Sequence, residues 1–167
     1  FVGKNLRQHL AERNDVEVLC FTRAHIVADL PSLLEGVEFV FHLAGVNRPQ
    51  DPTEFVTGNA DLTVALVGAV AAAMRARGGK LPIVYTSSTQ AARDNPYGAS
   101  KRAAEEALQA FAARSGAAAH VFRLPNVFGK WCRPNYNSAV ATFCHNIARG
   151  LPIQVNDPAA ALTLVFV

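Results

Sequence analysis

The sequence predicts an α/β protein built on a doubly wound parallel sheet with helices on both faces. Two observations carry that expectation. Apolar runs of strand length alternate with helical stretches along all 167 residues. Polar residues able to do chemistry gather where those runs end. Strands joined through roughly 10 to 20 residues of helix need crossover connections, which make parallel pairs. Sheets of that kind bind ligands beyond the carboxyl ends of their strands.

The elements follow in order. Gly3-Lys4-Asn5-Leu6 opens a helix expected over 3–12, and VEVLCF at 16–21 has strand composition, ending at Thr22-Arg23. A short helix over 31–35 leads to VEFVFHL at 37–43, which runs into Ala44-Gly45. A long helix is expected over 54–77, then LPIVY at 81–85 as a strand leading to Thr86-Ser87-Ser88. Asp94-Asn95-Pro96 supplies a cap and a first-turn proline for a helix over 96–114. AHVF at 119–122 is the next strand, followed by Arg123-Leu124-Pro125-Asn126. Asn137-Ser138 caps a helix over 137–149, whose Val140, Phe143, Cys144 and Ile147 recur at helical spacing. The last apolar run, 162–167, reads as a strand.

Composition excludes several classes. The net charge of +3 is mild and the cations are dispersed, so no nucleic-acid footprint is expected. Three cysteines without C-x-x-C spacing point to a reducing, cytoplasmic setting. Cys144-His145 lacks a matching ligand pair, so no metal is expected. The longest apolar stretch, 62–74, has 13 residues against the roughly 18 to 20 needed to span a bilayer, so no membrane is expected. We expect one nucleotide-binding domain over 1–167, with part of a substrate-binding region from about 124 onward. It opens at Phe1 without Met and closes inside a strand, so it reads as a fragment with the first strand missing. Weak or absent ligand affinity and no activity are expected of the isolated piece.

The chemistry centres on Tyr97 and Lys101, four residues apart on one face of a capped helix. Ser88 ends the strand just before. A phenol, an ammonium and a hydroxyl suffice to pass a proton to a carbonyl while a nicotinamide moves a hydride. Lys101 is expected to lower the tyrosine's pKa from its ordinary value near 10. His42-Leu43-Ala44-Gly45 ends a strand with two small residues, which let a cofactor approach the backbone closely. Gly3 suits the last glycine of a dinucleotide loop. Arg23 stands where a cation would meet the 2′-phosphate of NADPH and a carboxylate would select NAD. Trp131, Arg133, Tyr136 and Asn137 offer the aromatic face, cation and amides that a uridine diphosphate requires.

The order Ser-Ser, Asn-Pro-Tyr-Gly-x-Ser-Lys, Arg-Leu-Pro-Asn-Val-Phe-Gly resembles the extended short-chain dehydrogenase/reductase superfamily, the home of the NAD-dependent epimerases and dehydratases. The strings 42–49 (HLAGVNRP) and 129–138 (GKWCRPNYNS) resemble the CapF/WbjC-type reductases of capsule and O-antigen synthesis. The resemblance implies a Rossmann-type fold and Ser88, Tyr97 and Lys101 as the catalytic serine, tyrosine and lysine. It puts Gly3, Arg23, Leu43, Ala44, Gly45, Tyr97, Lys101 and Pro125 on the cofactor. Asn126, Lys130, Trp131, Arg133, Tyr136 and Asn137 fall on the sugar-nucleotide side. It further implies an NADPH-dependent reduction of a UDP-4-keto-6-deoxy-N-acetylhexosamine on the route to UDP-N-acetyl-L-fucosamine. Extended family members often dimerise through helices like those at 54–77 and 96–114, so a homodimer is expected. One alternative is an epimerase or dehydratase that recycles tightly held NAD. Another, of a different class, is a noncatalytic NADP-binding regulator.

Overall fold

A computed structural model describes residues 1–167. The chain folds as two compact units, Leu19–Arg123 and a second made of Phe1–Val18 with Leu124–Val167.

In the first unit a three-stranded sheet has the order β1 (Val40–His42), β2 (Ile83–Ser88), β3 (Ala119–Leu124). β1 and β2 are parallel, with Val40 beside Ile83, Phe41 beside Val84 and His42 beside Tyr85. The central strand β2 alternates, burying Ile83, Tyr85 and Ser87. Between β1 and β2 one continuous helix runs from α3 (Thr53–Phe55) through a π-helical turn (Val56–Asp61) into α4 (Leu62–Arg77). Ahead of them a 3₁₀ turn (Val27–Asp29) leads into α2 (Leu30–Leu33). After β2 a 3₁₀ turn (Thr89–Ala92) leads to α5 (Pro96–Ser115). Leu66, Val67 and Val70 of α4 join Leu81, Ile83, Leu108 and Phe111 in the core. Each such side chain, fully buried, contributes about 1.5–3 kcal/mol of apolar transfer.

The cap expected for α5 is present. Gly98 N–H donates to the Asn95 side chain at 2.8 Å, Pro96 stands in the first turn, and the helix closes on left-handed Gly116 at φ 66°. The 13-residue stretch lies within a longer helix, which overturns the expectation that this segment falls short of a bilayer span. Thr53–Arg77 forms 25 helical residues, long and apolar enough by composition to cross a membrane. Leu66, Val67 and Val70 of that helix are buried in the core. The expected strand at 16–21 forms no ladder. Val16, Val18 and Leu19 keep strand composition but are exposed, and a strand exists only where a neighbour supplies backbone partners.

In the second unit α1 (Val2–Leu10) takes the place expected of the first helix. β4 (Asn126–Phe128) pairs in parallel with β5 (Leu164–Phe166), and Phe128 meets Phe166 edge-on at 5.5 Å. Ser138 caps α6 (Ala139–Ile147), accepting from Ala141 N–H.

Candidate active site

The side chains of the first unit converge where β1 and β2 end beneath the start of α5. Helix geometry puts Tyr97, Lys101 and Glu105 on one stripe, one turn apart. The stripe comes unusually close to the turn before it. A Cβ at Gly98 would lie 2.2 Å from the Gln90 carbonyl oxygen and 2.7 Å from that of Arg93, so only glycine fits. That contact fixes the first turn of α5, and with it Tyr97, against the end of β2.

Lys101 is 4% exposed. Its ammonium donates to the Thr86 carbonyl at 2.9 Å and stands 4.5 Å above the Tyr85 ring. Burial lowers its pKa to about 8, with the Glu105 carboxylate acting in the opposite direction. Tyr97 is half-buried and tilts against Phe55 with ring centres 5.7 Å apart. Its pKa is raised by burial, while a hydrogen bond with the Ser88 side chain works against the rise. This corrects the expectation that Lys101 would lower it. The ammonium is spent on Thr86 and the Tyr85 ring, so burial decides and Tyr97 stays a neutral phenol at pH 7. Ser88 is half-buried and also accepts from Gln90 N–H at 3.2 Å, capping the 3₁₀ turn.

Behind this stripe lies a buried polar network. Asn59, in the π turn, accepts from Val46 N–H at 2.9 Å and donates to the Val46 carbonyl at 2.9 Å and to Ser100 Oγ at 3.0 Å. Ser100 in turn donates to the Tyr97 carbonyl at 2.8 Å. One amide therefore joins the loop after β1 to the first turn of α5. Thr63 donates to the Asn59 carbonyl at 2.7 Å, leaving its oxygen to accept from His42 Nε2–H at 2.8 Å. His42 stacks on Tyr85 at 5.0 Å, and burial followed by the Lys101 charge lowers its pKa to about 4. It is a neutral core histidine. Leu43 is half-buried, whereas Ala44 and Gly45 are exposed. A Cβ on Gly45 would lie 2.7 Å from Asn59 Oδ1 and 3.4 Å from Lys101 Nζ. The bare backbone of Gly45 thus makes room for the Asn59 amide and the Lys101 ammonium, which close up against it. Arg23 is exposed in a turn that Thr22 N–H closes on His25 Nδ1 at 3.1 Å.

The second unit holds the other expected residues. Gly3 lies in the first turn of α1. Asn5, two residues on, donates to the Lys130 carbonyl at 2.9 Å, which ties the 130–138 loop to that helix. Pro125 is half-buried between β3 and β4, and Asn126 begins β4 exposed. Lys130 Nζ stands 4.5 Å over the Trp131 ring, and the Arg133 guanidinium 5.6 Å over Tyr136. Asn137 is exposed beside the Ser138 cap. Trp131 and Asn135 adopt positive φ of 64° and 53°, a region non-glycine residues seldom occupy. Asn59 and Glu105 were missed as site residues in the sequence. Glu105 carried a usable signal, its place four residues after Lys101 on the same stripe.

A Tyr-Lys stripe at the strand ends of a doubly wound sheet defines a class, and the chain belongs to it. Residues 1–162 match the NAD dependent epimerase/dehydratase family, so this protein is a member of that family. Over all 167 residues it is 59% identical to the UDP-2-acetamido-2,6-beta-L-arabino-hexul-4-ose reductase of Pseudomonas aeruginosa, of which it covers 44%. It is also similar in structure to the capsular polysaccharide assembling protein CapF from Staphylococcus aureus. That likeness has a TM-score of 0.83 and 43% identity, over 99% of this chain and 44% of that one. The UDP-glucuronic acid 4-epimerase of Bacillus cereus shares the fold, with a TM-score of 0.73 at 18% identity over 98% of this chain and 55% of that one. The expected family and the doubly wound fold are both borne out. The chain spans less than half the length of the first two relatives.

Proposed function

We propose that the protein containing this chain reduces a UDP-4-keto-6-deoxy-N-acetylhexosamine with NADPH, in the synthesis of a capsule or O-antigen sugar. The observation that carries this is the convergence of Tyr97, Ser88 and Lys101 where β1 and β2 end, with the Gly45 backbone beside Lys101. The 59% identity to a protein named as a reductase of such a substrate supports it.

Tyr97, held neutral by burial, donates its hydroxyl proton to the oxygen of the keto group as that oxygen becomes an alkoxide. Ser88 hydrogen-bonds the same oxygen and steadies the developing charge. Bound NADPH supplies the hydride. Lys101, Leu43, Ala44 and Gly45 would hold its nicotinamide end. Arg23 would meet the 2′-phosphate, and Gly3 and Pro125 complete the proposed cofactor set. Asn126 and the loop residues Lys130, Trp131, Arg133, Tyr136 and Asn137 are proposed to bind the uridine diphosphate sugar. Trp131 offers a stacking face and Arg133 a diphosphate partner.

Two further assignments go with this. Cys20, Cys132 and Cys144 are all free thiols, which suits the cytoplasm. A groove between α4 and α5, lined by Val64, Val67, Gly68, Ala71 and Phe111, is proposed to seat a second copy of the chain. The full-length protein should oxidise NADPH in step with loss of the 4-keto sugar, with NADH a poorer donor. Interconversion of sugars without net NADPH use would favour an NAD-recycling epimerase. Cofactor binding without turnover would favour a regulator.

A further inference from the structure

Glu105 stands out among the groups the mechanism leaves unused. It is 3% exposed, yet it carries a charge. Three elements supply its partners. Ser87, next to the proposed catalytic Ser88, donates its hydroxyl to Oε1. Arg123 of β3 grips it in fork geometry, with Nε at 3.0 Å from Oε1 and Nη2 at 2.6 Å from Oε2. One turn earlier on its own helix lies Lys101. Such a carboxylate is no mere surface charge, because removing it would leave the Ser87 hydroxyl and the Arg123 guanidinium without their acceptor.

We propose that Glu105 is a positioning residue of the reaction, clamping the end of β2 to α5 and compensating the buried Lys101 ammonium. The clamp sets the spacing of Ser88 on the strand from Tyr97 on the helix. The compensation acts through charge. Lys101 faces His42 from β1, Tyr85 and the Thr86 carbonyl from β2 and Glu105 from its own helix, with Arg123 reaching Glu105 from β3. Glu105 is the sole carboxylate in that set. Burial alone works to raise its own pKa, but hydrogen bonds from Arg123 and Ser87 and the charges of Arg123 and Lys101 outweigh it. Glu105 therefore stays ionised and holds Lys101 in its charged form. This inference rests on the proposed reductase function.

The test uses the full-length protein and Glu105→Gln, which keeps the size and an acceptor for Ser87 but removes the charge. Lys101 is followed by NMR on ¹³C-labelled lysine, assigned with Lys101→Arg, which needs no turnover. In Glu105→Gln the Lys101 ammonium should titrate about one pH unit lower than in the parent. The descending limb of kcat against pH should move down with it, because the charged form is lost as pH rises through the pKa. Glu105→Asp, which keeps the charge, should restore much of both. A lower melting temperature with the Lys101 titration and pH limb unmoved would overturn the proposal and leave Glu105 a structural residue. A parent that fails to reduce the keto sugar would overturn the proposed function instead, and the lysine titration would still decide for or against Glu105.

Discussion

Lys101 and Lys130 each stand 4.5 Å over an aromatic ring, in settings that could hardly differ more. Lys101 is buried on Tyr85 and bonded to the Thr86 carbonyl, with Glu105 one turn on in the same helix. Lys130 is exposed on Trp131, in a loop tied to α1 through its backbone. The first arrangement spends desolvation to hold a few atoms still, as the proposed proton transfer demands. The second keeps aromatic and cationic side chains hydrated and presented, at the expense of backbone strain, as the proposed recognition of a sugar nucleotide demands. If this contrast is right, substitutions in the two regions should separate chemistry, stability and binding.

The largest effect is expected at the stripe. Tyr97→Phe in the full-length protein should lower kcat for reduction by about 10²–10⁴-fold, with NADPH affinity little changed in a fluorescence titration. Undiminished turnover would break the chemical half of the comparison. Gly98→Ala should come next, destabilising by about 3 kcal/mol in urea denaturation, because both atoms its Cβ would strike are backbone carbonyls.

Acid should reveal the buried network. His42 has an ordinary pKa of 6.5 and takes about 4 in the fold. Below 6.5 the unfolded chain binds a proton that the folded chain refuses, so stability is present at neutral pH and falls as pH drops toward 4. The loss should reach about 3 kcal/mol, and His42→Gln should abolish that portion of the pH dependence of unfolding. The smallest effect belongs to the loop. Trp131→Gly relieves a positive φ, so stability should hold or rise by about 1 kcal/mol. KM for the sugar nucleotide should nevertheless rise about tenfold, the loss of one stacked base. A fall in stability with unchanged KM would show that Trp131 serves packing.

Much of the site was legible because it is local. A helical turn is enough to align Tyr97 with Lys101, and an Asn-Pro pair is enough to start the helix beneath them. The Lys101 effect on Tyr97 was not legible, since spacing on a helix says nothing about where a long side chain ends. Its ammonium went to Thr86, and burial then raised Tyr97. The π turn hid for a similar reason. Val56–Asp61 has no special composition, and its wide turn is seen only once Asn59 bonds both Val46 and Ser100.

By itself the sequence determined the alternation of strands and helices, the capped α5, the Tyr97–Lys101 stripe and the kinship with the epimerase/dehydratase family. Those depend on short-range periodicity and on strings of adjacent residues. Tertiary structure alone decided which apolar run becomes a paired strand, how deeply Lys101 is buried, and that Glu105 faces Ser87 and Arg123. Ladder partners, desolvation and ion pairs all join residues far apart in the chain, so no local pattern encodes them.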